Sequence, residues 1–217
     1  MPNRQSPFPS PPHPVVYVVD DDASFLAAVT RLLRAGGYEV RSFESGENFL
    51  QNPPDDTPGC IIADLQLPGL SGLELQEALR KMENPHPLIF LTGHGDIPSS
   101  VQAMRNGAED FLTKPVNKQG LFAAVQRALA LDASERAERS RRHKLQARFE
   151  SLTPREREVL GQVLSGKLNK QIAGELGTHE RTIKAHRANI MAKMEVQSVA
   201  VLAQMAQEAR FPAFNGH

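Results

Sequence analysis

Four short apolar runs in the first half of the chain each end at a polar residue. The runs are 15–19 before Asp20, 60–63 before Asp64, 88–91 before Thr92 and 111–113 before Lys114. Near-continuous apolar runs of this length are typical of strands covered on both faces. Because segments of helical periodicity separate the runs, the strands should form a parallel sheet. The polar residues should then lie together, since the carboxyl ends of parallel strands share one edge of the sheet.

The other elements of residues 15–131 complete five strand–helix units. A further strand is predicted at 38–43, and apolar spacing predicts helices at 24–35, 45–50, 73–82 and 97–106 and from 119 onward. Asp22 precedes the first helix and suits its N-cap, and Gly36-Gly37 ends that helix. The predicted fold class is α/β, a five-stranded parallel doubly wound domain of the flavodoxin-like kind.

A long helix is predicted between the two halves of the chain. Residues 132–144 lack large apolar side chains, but they hold three acid–base pairs at i,i+4: Asp132–Arg136, Glu135–Arg139 and Glu138–Arg142. Each such pair supports a solvated helix by about 0.2–0.5 kcal/mol. Since Pro and Gly are absent from 121–152, one continuous helix is favoured over a broken one.

The last part of the chain has the pattern of a helix-turn-helix domain. Thr153 and Glu156 have the spacing of a capping box, with Pro154 in the first turn. Short helices at 169–176 and 181–194 follow, divided by Gly177-Thr178, and a fourth helix is predicted at 198–209.

Charge is unevenly distributed over a chain of zero net charge. Residues 1–118 carry 9 Lys and Arg against 15 Asp and Glu, whereas residues 119–217 carry 16 against 10. The acidic part suits a metal ion and the basic part suits an anionic polymer. A single cysteine, Cys60, is compatible with a reducing cytoplasm. We expect no membrane span and no signal peptide, and a disordered proline-rich arm at 1–14.

Three carboxylates at the predicted sheet edge point to a cation. Asp20 and Asp21 follow one buried strand and Asp64 follows another. An acidic run is usually a solvated loop, but carboxylates that converge repel one another unless a cation neutralises them. Hard divalent cations with oxygen ligands, Mg²⁺ or Mn²⁺, suit such a set.

These residues resemble the receiver domain of two-component response regulators. The resemblance rests on the Asp pair, Asp64-Leu65-Gln66-Leu67-Pro68-Gly69, Thr92-Gly93 and Lys114-Pro115. It implies that Asp64 accepts a phosphoryl group from a sensor histidine kinase. It also implies that Thr92 and Lys114 bind phosphoryl oxygens, and that the Lys114–Pro115 bond is cis. Mg²⁺ would be held by Asp20, Asp21, Asp64 and the Gln66 carbonyl.

The same resemblance implies roles for three further positions. Phe111 matches the aromatic switch residue of the family. Gln66 and His94 flank the site where the family varies the lifetime of the phosphoryl group, although His94 could equally face solvent. The implied reactions are self-phosphorylation and autodephosphorylation at Asp64 only, so the chain is not expected to be an enzyme. An aspartyl phosphohydrolase is disfavoured because Asp64-Leu65-Gln66 does not match the Asp-x-Asp-x-Thr of those enzymes.

Residues 151–209 resemble the DNA-binding domain of NarL/FixJ/LuxR-type regulators, closest to the FixJ branch. The matching residues are 152–160, 169–173 and 181–186. The resemblance implies a recognition helix in the major groove, with Arg181 and Lys184 as candidates for base contacts. The full set of predicted DNA-binding residues is Arg181, Thr182, Lys184, Ala185, Arg187, Ala188, Lys170 and Asn169. His179 and His186 lack the spacing of a metal site. The apolar residues of the last helix could form only core, but the family also pairs this helix across a dimer. The resemblance therefore implies these dimer candidates: Val199, Leu202, Met205 and Ala206.

The predicted organisation is an arm (1–14), a receiver domain (15–131), a helical linker (132–150), a LuxR-type DNA-binding domain (151–210) and a tail (211–217). The implied function is a phosphorylation-controlled transcriptional regulator that dimerises when phosphorylated and binds promoter DNA. Its implied partners are a sensor histidine kinase, promoter DNA and RNA polymerase. The alternative is a phosphorylation-independent regulator whose receiver is only a protein-interaction scaffold. The sequence leaves open whether the receiver inhibits the DNA-binding domain or only dimerises it.

Overall fold

The chain forms two compact units that divide between Glu135 and Arg136. The computed structural model describes residues 13–82, 85–93 and 97–211. The predicted arm lies outside the described residues except for residues 13 and 14, and of the predicted tail only Phe211 is described.

The first unit contains the predicted five-stranded parallel sheet. Its strands are β1 (Val15–Val19), β2 (Glu39–Phe43), β3 (Gly59–Asp64), β4 (Leu88–Thr92) and β5 (Asp110–Thr113). They pair in the order β2-β1-β3-β4-β5, and every pairing is parallel. Val19 pairs with Ala63, and Thr92 pairs with Thr113. The strands therefore end side by side, as the sequence predicts.

Helices cover both faces of this sheet. They are α1 (Ala23–Ala35), α2 (Gly46–Gln51), α3 (Gly72–Arg80), α4 (Ile97–Arg105) and α5 (Lys118–Glu150). Side chains of α2, α3 and α4 pack with Val15, Tyr17 and Val19 in one core. Side chains of α1 and α5 pack with Val16 and Val18 in the other. This two-sided burial explains why β1, β3 and β4 are almost entirely apolar. The edge strands β2 and β5 carry polar residues that are exposed or half-buried.

Helix α5 is continuous over 33 residues, as its charge pairs and the absence of Pro and Gly from 121–152 predict. Helix α5 is too polar to cross a membrane, and the other described helices also lack an apolar span of sufficient length.

The sequence predicts that Asp132 is a solvated residue of the linker, but the structure buries it. Its side chain is only 1% exposed, and its Oδ2 accepts a hydrogen bond of 3.0 Å from the Gly59 N–H. Gly59 is the first residue of β3, where the buried N–H needs an acceptor. The first unit therefore continues past the predicted boundary at residue 131, and Asp132 connects α5 to the start of β3.

Replacing Asp132 by Ala should destabilise the first unit by about 1–3 kcal/mol, because the buried Gly59 N–H loses its acceptor. Asp132→Asn retains an amide oxygen and should lose less. The chain has two tyrosines and no tryptophan, and Tyr17 and Tyr38 both belong to the first unit. Urea unfolding followed by tyrosine fluorescence therefore reports on this unit, and equal midpoints for wild type and Asp132→Ala would contradict the role of Asp132.

As far as residue 211, where the description of the chain ends, the second unit consists of four helices and the end of α5. The helices are α6 (Pro154–Leu164), α7 (Asn169–Glu175), α8 (Glu180–Lys193) and α9 (Val199–Glu208). Leu145 and Phe149 of α5 are buried in the same core as Leu160, Ile183 and Leu202. The unit therefore includes the last turns of α5, which the sequence places in the linker, because these two apolar side chains lie one helical turn apart on its inner face.

Glu156 should make the stability of the second unit sensitive to acid. The carboxylate is 4% exposed and accepts hydrogen bonds from Lys193 Nζ (2.7 Å) and the Thr153 N–H (2.8 Å). The Lys193 hydrogen bond, followed by the Thr153 N–H, lowers the pKa of Glu156 from its ordinary value of 4.5. Because the folded-state pKa is lowered, this stabilisation is present above pH 4.5 and is lost as pH falls through the folded-state pKa.

The expected result is faster amide hydrogen exchange in α6 and α8 as pH falls through that range, after correction for the intrinsic pH dependence of exchange. In Glu156→Gln the acid-induced increase should be smaller, since no carboxylate titrates there. The same acid-induced increase in both proteins would show that Glu156 is not its source.

Candidate phosphoacceptor site and DNA-binding surface

The polar residues that follow the strands meet at one edge of the sheet. Asp20 is 1% exposed, Asp64 8% and Thr92 0%, whereas Asp21 is exposed. Asp22 is separate from this group, since its carboxylate caps α1 by accepting from the N–H groups of Ser24 and Phe25. This confirms the N-cap prediction for Asp22.

Lys114 connects two of the carboxylates. Its Nζ lies 2.6 Å from Asp20 Oδ2 and 2.6 Å from Asp64 Oδ2. The same ammonium group lies 4.1 Å from the ring centre of Phe25 in α1. The Lys114 N–H donates to the Thr92 carbonyl, and the Lys114–Pro115 bond is cis. The contacts with the two carboxylates and the ring together orient the lysine ammonium group.

Burial and neighbouring charges shift the pKa values of Asp20 and Lys114 in opposite directions. Burial raises the pKa of Asp20, although the Lys114 hydrogen bond and charge oppose this effect. Burial alone would lower the pKa of Lys114, but its hydrogen bonds with Asp20 and Asp64 and their charges outweigh it, so that the pKa is raised. Lys114 therefore stays charged and supplies a fixed positive group beside Asp64.

The carboxylate set fits a hard divalent cation. One oxygen from each of Asp20, Asp21 and Asp64 lies within 4.8 Å of the others. Mg²⁺ prefers such oxygen donors and combines them with water and phosphate oxygens. The Gln66 side chain is exposed, whereas the backbone N–H of Gln66 donates to Asp64 Oδ1 at 3.0 Å. The loop after β3 therefore also orients the Asp64 carboxylate.

Other predicted site residues lie around this group. Phe111 is half-buried and packs against the core that α2, α3 and α4 share with the sheet. Gly93 is exposed, and a Cβ built on it would meet no atom of the described residues within 4 Å. His94 lies outside the described residues.

Helix α8 presents the predicted DNA-binding residues on its outer surface. Ile183 and Ile190 face the core, and Met194 is buried beyond the helix end. The side chains of Arg181, Thr182, Lys184, Ala185 and Ala188 are exposed, and that of Arg187 is half-buried. Lys184 forms an exposed ion pair with Glu180 at 3.3 Å, which is too weak to hold it away from another anion. In α7, Lys170 is exposed and Asn169 half-buried.

Two of the four dimer candidates of α9 are buried in the core of the second unit. Leu202 is 1% exposed and Ala206 5%, and both belong to the core of the second unit. Because a buried side chain cannot contact a second copy, these two residues do not form a dimer surface. Val199 and Met205 are half-buried, and Val201, which the sequence analysis did not select, is 46% exposed.

The fold and the two sites define a class of signalling protein, in which an aspartate-bearing α/β domain is joined to a helix-turn-helix domain. Residues 16–126 match the family described as the response regulator receiver domain. Residues 150–206 match the bacterial regulatory proteins of the luxR family. The chain belongs to the response regulators with a LuxR-type output domain, and is a DNA-binding transcriptional regulator whose control by phosphorylation is standard for its family.

Relatives match over most of the chain. Nodulation protein W of Bradyrhizobium diazoefficiens is 43% identical over 193 residues, which is 89% of this chain and 85% of the relative. The transcriptional regulatory protein FixJ of the same organism is 37% identical, over 89% and 95% of the two chains. The solved structure of the response regulator StyR superposes with a TM-score of 0.80 at 44% identity, over 90% of this chain and 99% of that one. FixJ is described as a transcriptional regulatory protein and StyR as a response regulator.

Proposed function

We propose that Asp64 is the phosphoacceptor and that its phosphorylation controls DNA binding by the second unit. The observation that carries this proposal is the position of Lys114, whose ammonium lies 2.6 Å from both the Asp20 and Asp64 carboxylates at the sheet edge. Asp64 Oδ2 is thereby oriented beside a positive charge.

The residues at the sheet edge have separate roles in phosphoryl transfer. A carboxylate oxygen of Asp64 bonds to the phosphorus of the kinase's phosphohistidine, and the P–N bond breaks with its electron pair on the imidazole. Phosphoryl transfer requires alignment of donor and acceptor and neutralisation of negative charge on the transferred oxygens. Lys114 contributes positive charge and Thr92 a hydroxyl donor. Mg²⁺ held by Asp20, Asp21, Asp64 and the Gln66 carbonyl would supply further positive charge, and Gln66 and His94 would set the phosphoryl lifetime.

The signal passes from Asp64 to the receiver surface through Thr92 and Phe111. Movement of Thr92 toward the phosphoryl group allows the half-buried Phe111 to turn inward, and the surface of α4 and β5 then becomes a dimer contact. Two DNA-binding domains brought together in this way would bind two half-sites. In α9, the partly exposed Val199, Val201 and Met205 are the candidates for a second contact.

On the DNA, Arg181 and Lys184 would contact base edges. Thr182, Arg187, Lys170 and Asn169 would hold phosphates, and Ala185 and Ala188 would make apolar contacts. A sensor histidine kinase and RNA polymerase are the proposed protein partners, and the cytoplasm is the proposed location.

Genome-wide mapping of binding sites for wild type and Asp64→Asn tests this function. Under conditions that activate the kinase, the wild-type protein should occupy a limited set of promoters. The occupancy of these promoters by Asp64→Asn should be sharply lower. Identical maps would favour the alternative, in which the receiver is only a protein-interaction scaffold.

A further inference from the structure

Glu47 lies outside the residues that the proposed phosphoryl transfer uses, yet it contacts the loop that follows Asp64. The residue occupies the first turn of α2, whose N-cap is Ser45. Its Oε1 accepts a hydrogen bond of 2.8 Å from the Leu70 N–H. Leu70 belongs to the loop 65–71 between β3 and α3, which also contains Gln66. This hydrogen bond therefore connects α2 with the loop that follows Asp64.

The loop and the first turn of α2 are in close contact at two glycines, Gly69 and Gly46. Gly69 has φ +75°, and a Cβ built on it would lie 2.3 Å from Glu47 Oε1. A Cβ on Gly46 would lie 3.1 Å from Leu70 Cδ2. Gly69 thus provides both the left-handed backbone and the space that the carboxylate occupies.

The rest of the loop is held close to Asp64. The Gln66 N–H donates to Asp64 Oδ1 at 3.0 Å, and the Gly72 N–H donates to the Leu65 carbonyl at 3.0 Å. Leu65 and Leu67 are 6% and 7% exposed. A displacement of the loop at Leu70 would therefore be transmitted to Gln66 and to the Asp64 carboxylate.

An acid in the first turn of a helix often serves only the helix dipole. Such a role does not require the side chain to reach another element. The N–H groups of Glu47 itself and of Leu70 lower the pKa of Glu47, so the bond to Leu70 is made by a carboxylate, and hydrogen bonds to charged acceptors are the stronger kind.

We propose that Glu47 is a positioning residue of the phosphoacceptor site, which holds the loop 65–71 so that Asp64 and the Gln66 backbone keep the geometry for cation binding and phosphoryl transfer. This inference rests on the proposed function of Asp64.

Three variants of the full chain test it: Glu47→Ala, Glu47→Gln and the control Glu44→Ala, which removes an exposed acid three residues earlier. Loss of a hydrogen-bonding partner of a metal ligand lowers affinity or activity about 10- to 100-fold. Because Glu47 acts through Leu70 of the loop, we expect the lower end of this range. Glu47→Ala should take up phosphoryl from acetyl phosphate about 10-fold more slowly and need more Mg²⁺ for half-maximal rate. Glu47→Gln keeps an acceptor for the Leu70 N–H and should retain most of the wild-type rate. Glu44→Ala should match wild type.

Intact-mass time courses measure uptake, calorimetric titration measures Mg²⁺ affinity, and tyrosine fluorescence verifies that the first unit is folded. The inference is overturned if Glu47→Ala keeps the wild-type rate and Mg²⁺ dependence, or if Glu47→Ala and Glu47→Gln lose both equally. A wild-type protein that takes up no phosphoryl group would instead overturn the proposed function.

Discussion

An Asp64→Asn protein should take up no phosphoryl group from acetyl phosphate and Mg²⁺, whereas wild type should gain one. The amide has nearly the shape of the carboxylate, but it lacks the negative oxygen that attacks phosphorus and that pairs with Lys114 at 2.6 Å. Intact-mass measurement after incubation counts phosphoryl groups directly. The expected effect is complete loss, the largest that the structure predicts.

A matched control for this loss is Asp55→Asn. Asp55 is an exposed loop acid whose carboxylate accepts from the Thr57 N–H, so the change is chemically the same but distant from the sheet edge. The control should be phosphorylated like wild type. Uptake by Asp64→Asn at the wild-type level would place the phosphoacceptor elsewhere.

Replacing Arg181 or Lys184 by Ala should weaken operator binding strongly. Each exposed side chain lies in the first turns of α8, and a good base contact contributes about 1–3 kcal/mol of discrimination. This range corresponds to a loss of about 5- to 150-fold in affinity, since 1.4 kcal/mol is a factor of ten. Titration of a mapped operator and of variants with single base changes would measure both affinity and specificity.

Two further variants distinguish the loss of a base contact from the loss of a positive charge. Lys170→Ala should weaken binding to all sequences alike and reduce the slope of log affinity against log salt by about one. Lys81→Ala removes an exposed cation of the first unit and should leave operator affinity unchanged. If Arg181→Ala and Lys184→Ala lost no more affinity than Lys81→Ala, α8 would not be the recognition helix.

The sheet and the cluster of carboxylates could be predicted because each strand is defined locally. A buried parallel strand must be apolar throughout, and the first polar residue after it has to lie at the carboxyl edge. Asp20, Asp64 and Thr92 all follow this rule. The continuity of α5 could be predicted for a related reason, since i,i+4 pairs and the absence of Pro and Gly from 121–152 are properties of adjacent turns.

The contacts of Glu47 and Asp132 could not be predicted in the same way. Glu47 contacts Leu70, 23 positions away, and Asp132 contacts Gly59, 73 positions away. In the sequence both acids have ordinary helical roles, one in a first turn and one in a charge pair. Only the packing of α2 and α5 on the sheet brings them to backbone N–H groups that need acceptors.

The apolar residues of α9 show that a sequence pattern does not always predict which side chains are buried. Leu202 and Val201 are adjacent apolar residues, and composition alone does not tell which of the two faces the core. The structure places Leu202 inside and leaves Val201 46% exposed. Helical periodicity locates an apolar face, but the position of the neighbouring helices decides which of its members are buried.

Control of DNA binding through Asp64 is tested most directly by measuring the affinity of the purified protein, with and without phosphorylation, for one mapped operator. Phosphorylated wild type should bind at least about 10-fold more tightly than unphosphorylated wild type, a coupling free energy within the usual range. Asp64→Asn treated in the same way should bind like the unphosphorylated protein. Equal operator affinities for phosphorylated wild type and Asp64→Asn would contradict control of DNA binding through Asp64.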